Sequence, residues 1–284
     1  MLTAASPPAP RVRRHREYTV CGGTNVGSKR KDNQDTFVVV DLESGAVSRP
    51  CIRTDVWVAQ PGLLMLVCDG MGGRAAGDIA ARIAASSIKR ELEAEGANVA
   101  QAPDHSLKRA VAGANKAILA EARAHPEEQG MGTTCTAAVL SPDRLAIAQV
   151  GDSRAYLWRD GELRILTRDQ TIAANLVDVG VLTPDQVAQF PYRHVLLQAL
   201  GARADIHPVI TDIEVRAGDR VLLCSDGLHG PVSDDAIAEV LSTTRVVSAV
   251  AQALIDAALR AGGPDNVTVV IADCGALKDS AGRE

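Results

Sequence analysis

The sequence predicts an α+β fold, in which short strands form sheets and long helices pack on them. Short apolar segments follow one another closely between residues 133 and 167, as in a meander of antiparallel strands. Alanine-rich segments at 74–95 and 106–125 have helical periodicity, and further helices are expected at 233–241 and 246–261. The 284 residues, 46% of them hydrophobic, are enough for one domain with a substantial core.

The N-terminal part of the chain is rich in Ala and Pro and then basic, so residues 1–17 are expected to form a disordered basic tail. Strands are expected at 18–26, 36–42 and 63–68. The polar, punctuated segment 44–61 is expected to form a hairpin excursion before the third of these strands. The helices at 74–95 and 106–125 then form an antiparallel pair on a sheet.

The C-terminal half alternates strands, turns and helices. Asp160-Gly161 is a strong two-residue hairpin signal within the meander. Residues 169–200 are expected to form an inserted subdomain of two short helices, the second opened by Thr183-Pro184. Later strands are expected at 207–215, 220–225 and 266–272, and a polar tail at 276–284. Residues 18–275 are therefore expected to form one domain.

Composition excludes several classes of function. Aromatic residues make up only 2% of the chain and the net charge is −5, which argues against a nucleic-acid-binding module. No segment approaches the ~20 apolar residues of a membrane span, and no signal peptide is recognised. None of the six cysteines has C-x-x-C spacing, which argues against a zinc site and favours free thiols. A soluble, cytoplasmic protein is expected.

The segment Leu63–Gly77 carries the first functional signal. An apolar run ends in Asp69, and the glycines Gly70, Gly72 and Gly73 follow. Glycines permit positive φ and a close approach of the backbone to a ligand. A carboxylate held at such a strand end can bind a hard cation through oxygen. The alternative is a tight strand-to-helix turn with a solvated Asp.

Four other acids share this position between an apolar strand and a polar or glycine-rich turn: Asp35, Asp152, Asp226 and Asp265. A single Asp at a turn is ordinary, because its side chain bonds the local backbone. Carboxylates that cluster repel one another and have raised pKa values unless cations neutralise them. The pattern therefore predicts a carboxylate site for Mg²⁺ or Mn²⁺.

The same motifs resemble those of the metal-dependent protein phosphatases, the protein phosphatase 2C-like Ser/Thr enzymes, in their bacterial branch. The resemblance covers about 24–272. It rests on motifs in the family's order and at about its spacing: Arg30-Lys31-Asp32-Asn33-Gln34-Asp35, Asp69-Gly70-Met71-Gly72-Gly73, Gly132-Thr133-Thr134, Gly151-Asp152-Ser153-Arg154, Ser225-Asp226-Gly227-Leu228 and Asp265-Asn266-Val267-Thr268. It implies a four-layer αββα fold, with a central antiparallel β-sandwich flanked on both faces by pairs of antiparallel helices.

The resemblance also implies a site of two Mn²⁺ or Mg²⁺ ions with a third nearby. Asp69 would bridge the two ions, the Gly70 carbonyl would bind one, and Asp226 and Asp265 would bind the other. Asp152 would bind the third ion together with Asp226.

Two residues have implied roles in catalysis beside Asp69. Arg30 would bind the substrate phosphate, for which its planar fork is suited. Asp35 would act through a metal-bound water. The implied reaction is hydrolysis of phosphoserine or phosphothreonine in proteins by direct attack of a metal-activated water.

The implied partners are phosphorylated proteins, either the targets of a Ser/Thr kinase or the kinase itself. No nucleic acid or membrane is expected, and the protein is expected to be a monomer. Two other functions stay open: a catalytically inactive module that binds phosphoproteins, and a regulatory phosphatase for a single partner. Loss of a metal-binding acid would indicate the first, and fused sensor domains would indicate the second.

The sequence departs from the family pattern at several positions. Met71 stands where many eukaryotic relatives have a His that is proposed to protonate the leaving group. His229 stands where bacterial relatives usually have Thr, and could supply a proton or contact phosphate, or be a partly buried residue of a helix-entry turn. Residues 169–200 correspond to the family's flap beside the active site. Gln170, His194 and Gln198 replace the common His, Asn and Arg there, which puts substrate preference in doubt.

Overall fold

Two antiparallel sheets and two pairs of helices form the architecture. The structure, a computed structural model, describes residues 13–47, 54–73 and 76–280. The strands are β1 Arg13–Asn25, β2 Asp35–Asp41, β3 Thr54–Val58, β4 Leu63–Met71, β5 Gly132–Thr133, β6 Cys135–Leu140, β7 Arg144–Val150, β8 Arg154–Arg159, β9 Glu162–Ile165, β10 Val209–Glu214, β11 Arg220–Cys224 and β12 Val267–Ser280. The helices are α1 Ala76–Glu95, α2 Pro103–Ala124, α3 Ile172–Asp178, α4 Pro184–Val187, α5 Asp226–His229, α6 Asp234–Thr243 and α7 Val247–Arg260, with 3₁₀ turns at Gly96–Ala100 and Pro126–Glu128.

The strand order explains how the core is built. One sheet has the order β3-β1-β12-β11-β8-β9, and the other has β10-β7-β6-β4-β2 with β5 paired to β4. Strand β4 is buried on both faces, so it is a continuous apolar run and not an alternating one. Its odd-numbered residues Leu63, Met65 and Val67 pack between the sheets. Its even-numbered residues Leu64 and Leu66 pack under the helices α1 and α2.

The helix pairs cover the two outer faces of the sandwich. Helices α1 and α2 pack on the β4 sheet through alanines and through larger residues such as Ile88 and Leu107. Helices α6 and α7 pack on the other sheet through Ile237 and Leu254, against Ile271 of β12. The four-layer αββα fold is thereby confirmed, and the solved structures described below have the same fold.

Two predicted strand ends are wrong. Strand β1 begins at Arg13 and not at Tyr18, and β12 continues to Ser280 and does not end at Ala272. The two extensions pair with each other from Arg13↔Ser280 to Arg16↔Leu277. Each extension is polar and local composition favours a tail, but a partner strand from the opposite end of the chain satisfies its backbone hydrogen bonds. Residues 1–12 and 281–284, the rest of the predicted tails, lie outside the described residues.

Other predictions from local sequence are close to the structure. Asp160 and Gly161 have φ of 54° and 85° and connect β8 to β9, as the hairpin signal predicts. Helix α4 begins with a capping box of Thr183 and Gln186. The described parts of segment 44–61 differ from the expected local hairpin, because β3 pairs with β1 of the other sheet, and residues 48–53 of that segment lie outside the described residues. Among the described residues, no helix has the length and hydrophobicity that a membrane span needs.

Candidate metal centre

The acids of the sequence motifs meet at a cavity of about 940 Å³ where strands of both sheets end. Asp69, Asp152, Asp226 and Asp265 line this cavity, and Arg30 lies on its wall. The structure therefore brings together residues that are far apart in the chain, as the resemblance implies. Asp35 is not among the lining residues and lies directly opposite Asp69 in the register of β2 and β4.

The backbone of Asp69 is fixed by two threonines. Its N–H donates to Thr134 Oγ1 at 2.9 Å, and its carbonyl accepts from Thr133 Oγ1 at 2.9 Å. The Thr134 N–H also donates to the Asp69 carbonyl, at 2.8 Å. These contacts give both threonines a structural role. They hold the end of β4 in place, so that the Asp69 carboxylate is delivered to the cavity in one orientation.

Two of the three glycines after Asp69 have a structural reason to be glycine. Gly72 has φ of 145°, a conformation that L side chains rarely adopt. A Cβ on Gly70 would lie 2.2 Å from the Gly77 carbonyl oxygen and 2.6 Å from the Gln34 carbonyl oxygen. Gly73 has neither constraint, because a Cβ there would meet nothing within 4 Å. Positive φ therefore explains Gly72 and a close approach of the backbone explains Gly70, whereas neither explains Gly73.

Asp35 is buried, and only one of its two carboxylate oxygens accepts hydrogen bonds. Its Oδ2 accepts from Ser225 Oγ at 2.8 Å and from Thr268 Oγ1 at 2.7 Å. Its Oδ1 is buried without a hydrogen-bond partner. Burial raises the pKa of Asp35 to about 7, although the bonds from Thr268 and Ser225 act in the opposite direction.

The other acids of the cavity have raised pKa values as well. Burial and the nearby Asp35 and Asp226 raise the pKa of Asp69 well above its ordinary value. Burial and Asp226 raise the pKa of Asp152 to about 8. Burial and Asp265 raise the pKa of Asp226, whose Oδ1 is also buried without a partner. These groups repel one another as anions, so the site favours protons or cations.

Arg30 and Asp265 form a bidentate pair. Nε donates to Oδ1 at 2.8 Å and Nη2 donates to Oδ2 at 2.7 Å. The pair raises the pKa of Arg30 above its ordinary value. The residue predicted to bind phosphate therefore binds a predicted ion ligand in this structure. A guanidinium fork binds carboxylate and phosphate with the same geometry, so Asp265 occupies the place that a phosphate would take.

Two asparagines fix the loops around the cavity, as the sequence predicts. Asn33 Oδ1 accepts from the Asp35 N–H at 3.1 Å. Asn266 Oδ1 accepts from the Gln34 N–H at 2.8 Å, and its Nδ2 donates to the carbonyls of Val26 and Asp32. The loop of the Arg30 motif is thereby tied to the loop that carries Asp265.

The chemistry of this donor set fits hard divalent cations. The donors are carboxylates, and two of their oxygens, Asp35 Oδ1 and Asp226 Oδ1, are buried without a partner. Mn²⁺ and Mg²⁺ prefer oxygen ligands and keep several waters, for which a cavity of about 940 Å³ has room. The alternative of a solvated Asp69 in a simple turn does not fit its place beside Asp35 and among the other acids of the cavity.

Comparisons with known proteins agree with the fold and identify the family. The sequence profile described as Protein phosphatase 2C matches residues 33–261. The chain belongs to the protein phosphatase 2C family. The serine/threonine protein phosphatase PstP of Mycobacterium tuberculosis is 44% identical over 210 residues, which cover 74% of this chain and 40% of PstP. This chain thus matches less than half the length of that curated relative.

One further relative and a solved structure of PstP support the assignment. The serine/threonine phosphatase stp of Listeria monocytogenes is 33% identical over 211 residues, which cover 74% of this chain and 84% of stp. The crystal structure of the catalytic domain of PstP in complex with two manganese ions matches with a TM-score of 0.76 and 36% identity. That match covers 92% of this chain and 100% of the PstP chain.

The structure shows where the residues that depart from the 2C family pattern lie and what they contact. Met71 lines the cavity, where a thioether cannot donate a proton. Gln170 accepts from the Gly151 N–H at 2.9 Å and from Gln198 Nε2 at 3.4 Å, so the flap (residues 169–200) is tied to the Asp152 loop. His194 lies on the wall of the cavity and is exposed.

His229 does not line the cavity of this 2C family member. Its Nε2 lies 3.0 Å from the Asp152 carbonyl oxygen, and burial lowers its pKa to about 4. The ring is therefore neutral at pH 7, and because a carbonyl only accepts, Nε2 carries the proton. Arg154 lies nearby and forks Asp169 at 2.8 and 2.7 Å, which orients the same loop as the sequence predicts.

Some contributors to the site are not evident from the sequence of this 2C family member. The hydroxyls of Ser225 and Thr268 hold Asp35, although each was considered only as part of a motif. The sequence marks these two residues only by position, since Ser225 directly precedes the predicted ligand Asp226 and Thr268 lies three residues after the predicted ligand Asp265. Arg203 also lines the cavity, and no feature of the sequence marks it.

Without bound metal ions, the protein is expected to lose stability as the pH rises from 6 to 9. The folded-state pKa values of Asp35 and Asp152 are raised to about 7 and about 8, so the folded state holds these protons more tightly than the unfolded state. Their contribution is complete at acid pH and is lost as the pH rises through these values. We expect a decrease on the order of a few kcal/mol, measured by urea unfolding in chelator.

Two controls accompany this measurement. Asp152→Asn should flatten the pH dependence, whereas Asp205→Asn, at a side chain that is 88% exposed, should not. Mn²⁺ at pH 8 should restore stability, since cations replace the protons. A stability that rises between pH 6 and 9 in chelator would contradict the role of these carboxylates.

Proposed function

We propose that the protein is a metal-dependent serine/threonine phosphatase that hydrolyses phosphoserine and phosphothreonine in proteins. One observation carries this proposal. Asp69, Asp152, Asp226 and Asp265 line one cavity with Arg30 on its wall, and Asp35 pairs with Asp69 in the sheet, in a member of the protein phosphatase 2C family. PstP and stp, the relatives described above, are named serine/threonine phosphatases. All the acids that the reaction requires are present, so an inactive binding module is not favoured.

The proposed cofactor is a pair of Mn²⁺ or Mg²⁺ ions, with a third ion nearby. Asp69 would bridge the pair, with the Gly70 carbonyl as a further ligand of one ion. Asp226 and Asp265 would hold the other ion. Asp152 would hold the third ion together with Asp226. The manganese-bound PstP catalytic domain supports a two-ion core, and the partnerless oxygen of Asp226 supports its role as a ligand.

The residues of the chain set up the reaction. Bound Mn²⁺ or Mg²⁺ ions lower the pKa of water and stabilise the charge on a transferring phosphoryl group. Arg30 can exchange the Asp265 carboxylate for the substrate phosphate, because its fork binds either group. Asp35 is fixed by Ser225 and Thr268 through Oδ2, so its Oδ1 is left to accept one further hydrogen bond.

Neither Met71 nor His229 can protonate the leaving group. Met71 has no proton to give, and His229 is neutral and bonded to the Asp152 carbonyl. The departure at Met71 therefore changes the source of this proton without removing a ligand of the ions.

The experiment that tests the function is hydrolysis of p-nitrophenyl phosphate and of a phosphothreonine peptide. Activity is expected only with Mn²⁺ or Mg²⁺, and chelator should abolish it. Asp226→Asn should do the same, whereas Asp205→Asn should keep the activity of the unmodified protein. Turnover in chelator, or full turnover of Asp226→Asn, would contradict the proposal.

The partners and the location are also proposals. The substrates would be targets of a Ser/Thr kinase or the kinase itself, and the protein would act as a monomer. Cys68, Cys135, Cys224 and Cys274 are buried and form no disulfide, which supports a reducing compartment such as the cytoplasm. Cys51 lies outside the described residues.

His229→Ala is expected to weaken binding of the third ion without changing how the reaction rate depends on pH. The variant loses the hydrogen bond to the Asp152 carbonyl, which is worth about 1 kcal/mol or about fivefold in affinity. The Mn²⁺ concentration for half-maximal activity should rise by that factor. The pH–rate profile between pH 6 and 9 should keep its shape, because His229 is already neutral there. His207→Ala, at a side chain that is 79% exposed, is the control. If His229→Ala instead removed the rise or the fall of the pH–rate profile in this range, His229 would be shown to transfer a proton.

A further inference from the structure

The C-terminal end of α2 carries a second group of potential metal ligands. Glu121, His125 and Glu128 each have one ligand atom within 4.8 Å of those of the other two. In the described part of the chain, no other three His, Cys, Asp or Glu side chains meet this distance. The group is separate from the cavity described above, which none of the three residues lines.

The local fold explains why these three side chains meet. Glu121 and His125 are four residues apart, so they lie on the same face of α2, and His125 Nδ1 is 3.1 Å from Glu121 Oε1. Helix α2 ends at Ala124, before Pro126. The 3₁₀ turn Pro126–Glu128 then folds the chain back, with the Glu128 N–H donating to the His125 carbonyl at 2.9 Å. This turn brings Glu128 beside the last turn of the helix.

The electrostatics of this group favour a cation. Glu128 Oε2 is buried and has no hydrogen-bond partner, which is costly for a carboxylate oxygen. The ion pairs of the described residues leave Glu128 without a basic partner, and Glu121 has only His125. Both carboxylates also lie at a helix C-terminus, where the backbone carbonyls carry partial negative charge and favour a cation.

We propose that Glu121, His125 and Glu128 bind one Zn²⁺ ion. One imidazole nitrogen and two carboxylate oxygens are typical zinc ligands, whereas Mg²⁺ binds oxygen almost alone. Cysteine spacing gave no sign of this site, because its ligands are His and Glu. A bound ion would take the place of the Glu121–His125 contact and would also give Glu128 the partner that it lacks.

The position of the site gives it a structural effect. The Met131 N–H donates to the Glu128 carbonyl at 3.1 Å, and Gly132–Thr133 then pairs with Gly70–Met71. A cation at Glu128 would therefore tie the end of α2 to the segment that leads into β5. This link predicts that the ion raises the melting temperature.

The test is zinc binding by protein dialysed in saturating Mg²⁺, which occupies the oxygen ligands of the cavity. The unmodified protein should bind one more Zn²⁺ per chain than His125→Ala or Glu128→Gln. Zinc affinity at this site should fall by more than about tenfold in both, since losing a ligand costs more than losing the partner of a ligand. Glu127→Gln changes an exposed neighbour of the site, His105→Ala changes an exposed residue at the other end of α2, and both variants should keep the extra ion.

Thermal unfolding with and without Zn²⁺ gives the second readout. Zinc should raise the melting temperature of the unmodified protein and of both control variants, but not of His125→Ala or Glu128→Gln. Equal zinc content in the unmodified protein and His125→Ala would overturn the proposal. Loss of the extra ion in Glu127→Gln would also overturn it, because binding would then follow charge and not this geometry.

Discussion

Asp69→Asn is expected to reduce phosphatase turnover by at least about a thousandfold, equivalent to about 4 kcal/mol of transition-state stabilisation. The amide has the shape of the carboxylate but lacks its charge, so it cannot bridge two cations. The end of β4 would stay in place, because Thr133 and Thr134 hold the backbone of residue 69 and not its side chain. The loss should therefore appear in kcat at saturating Mn²⁺, measured with p-nitrophenyl phosphate and a phosphothreonine peptide.

Stability separates this effect from unfolding. The nearby acids Asp35 and Asp226 repel an ionised Asp69, so a neutral Asn should leave metal-free protein as stable as before or more so. Asp205→Asn has the same chemistry at an exposed position and should change neither quantity. If Asp69→Asn kept turnover within about tenfold of the unmodified protein, Asp69 would not be the bridging ligand.

Gly70→Ala is expected to destabilise the protein by about 3 kcal/mol or more, whereas Gly73→Ala should change stability by less than about 0.5 kcal/mol. Both glycines belong to the same loop after β4. A Cβ on Gly70 would overlap the carbonyls of Gly77 and Gln34, and backbone atoms cannot move aside as a flexible side chain can. A Cβ on Gly73 would meet nothing within 4 Å.

Urea unfolding of both variants in chelator and in Mn²⁺ measures this difference. Gly70→Ala should also require more Mn²⁺ for activity, because the carbonyl of residue 70 is a proposed ligand and the clash displaces it. Equal stabilities of the two variants would show that the loop moves to accommodate a side chain at Gly70. The close approach to Gly77 would then not be a constraint on this site.

The sequence predicted which residues belong to the candidate site better than it predicted how these residues are arranged in space. An apolar run that ends in Asp-Gly is a local signal, and it is present at both Asp69 and Asp226. Their meeting depends on which strands become neighbours, which a single sequence does not show without its family. The contact between Arg30 and Asp265 was not predicted either, since each residue was assigned to a different ligand. Hydrogen bonds such as Ser225 to Asp35 require three-dimensional distances.

The same limit explains the errors in the fold. Helices α6 and α7 were predicted to within a few residues, because their signals are periodicity and local caps. The ends of β1 and β12 were wrong, because each is stabilised by the other across almost the whole chain. The path of β3 was missed for the same reason, since its partner β1 lies in the other sheet.

The central place of β12 has a consequence for how the protein is made. Strand β12 lies between β1 and β11, so the sheet stays divided until residues 267–280 have left the ribosome. Pairing of such distant segments is a slow step in folding. Asp265 directly precedes β12 and Thr268 lies within it, so the nascent chain lacks a complete set of acids until this part of the chain has emerged. Enzymatic activity should therefore appear only after β12 has paired, and the edges of β1 and β11 that face it should be the surfaces that chaperones protect until then.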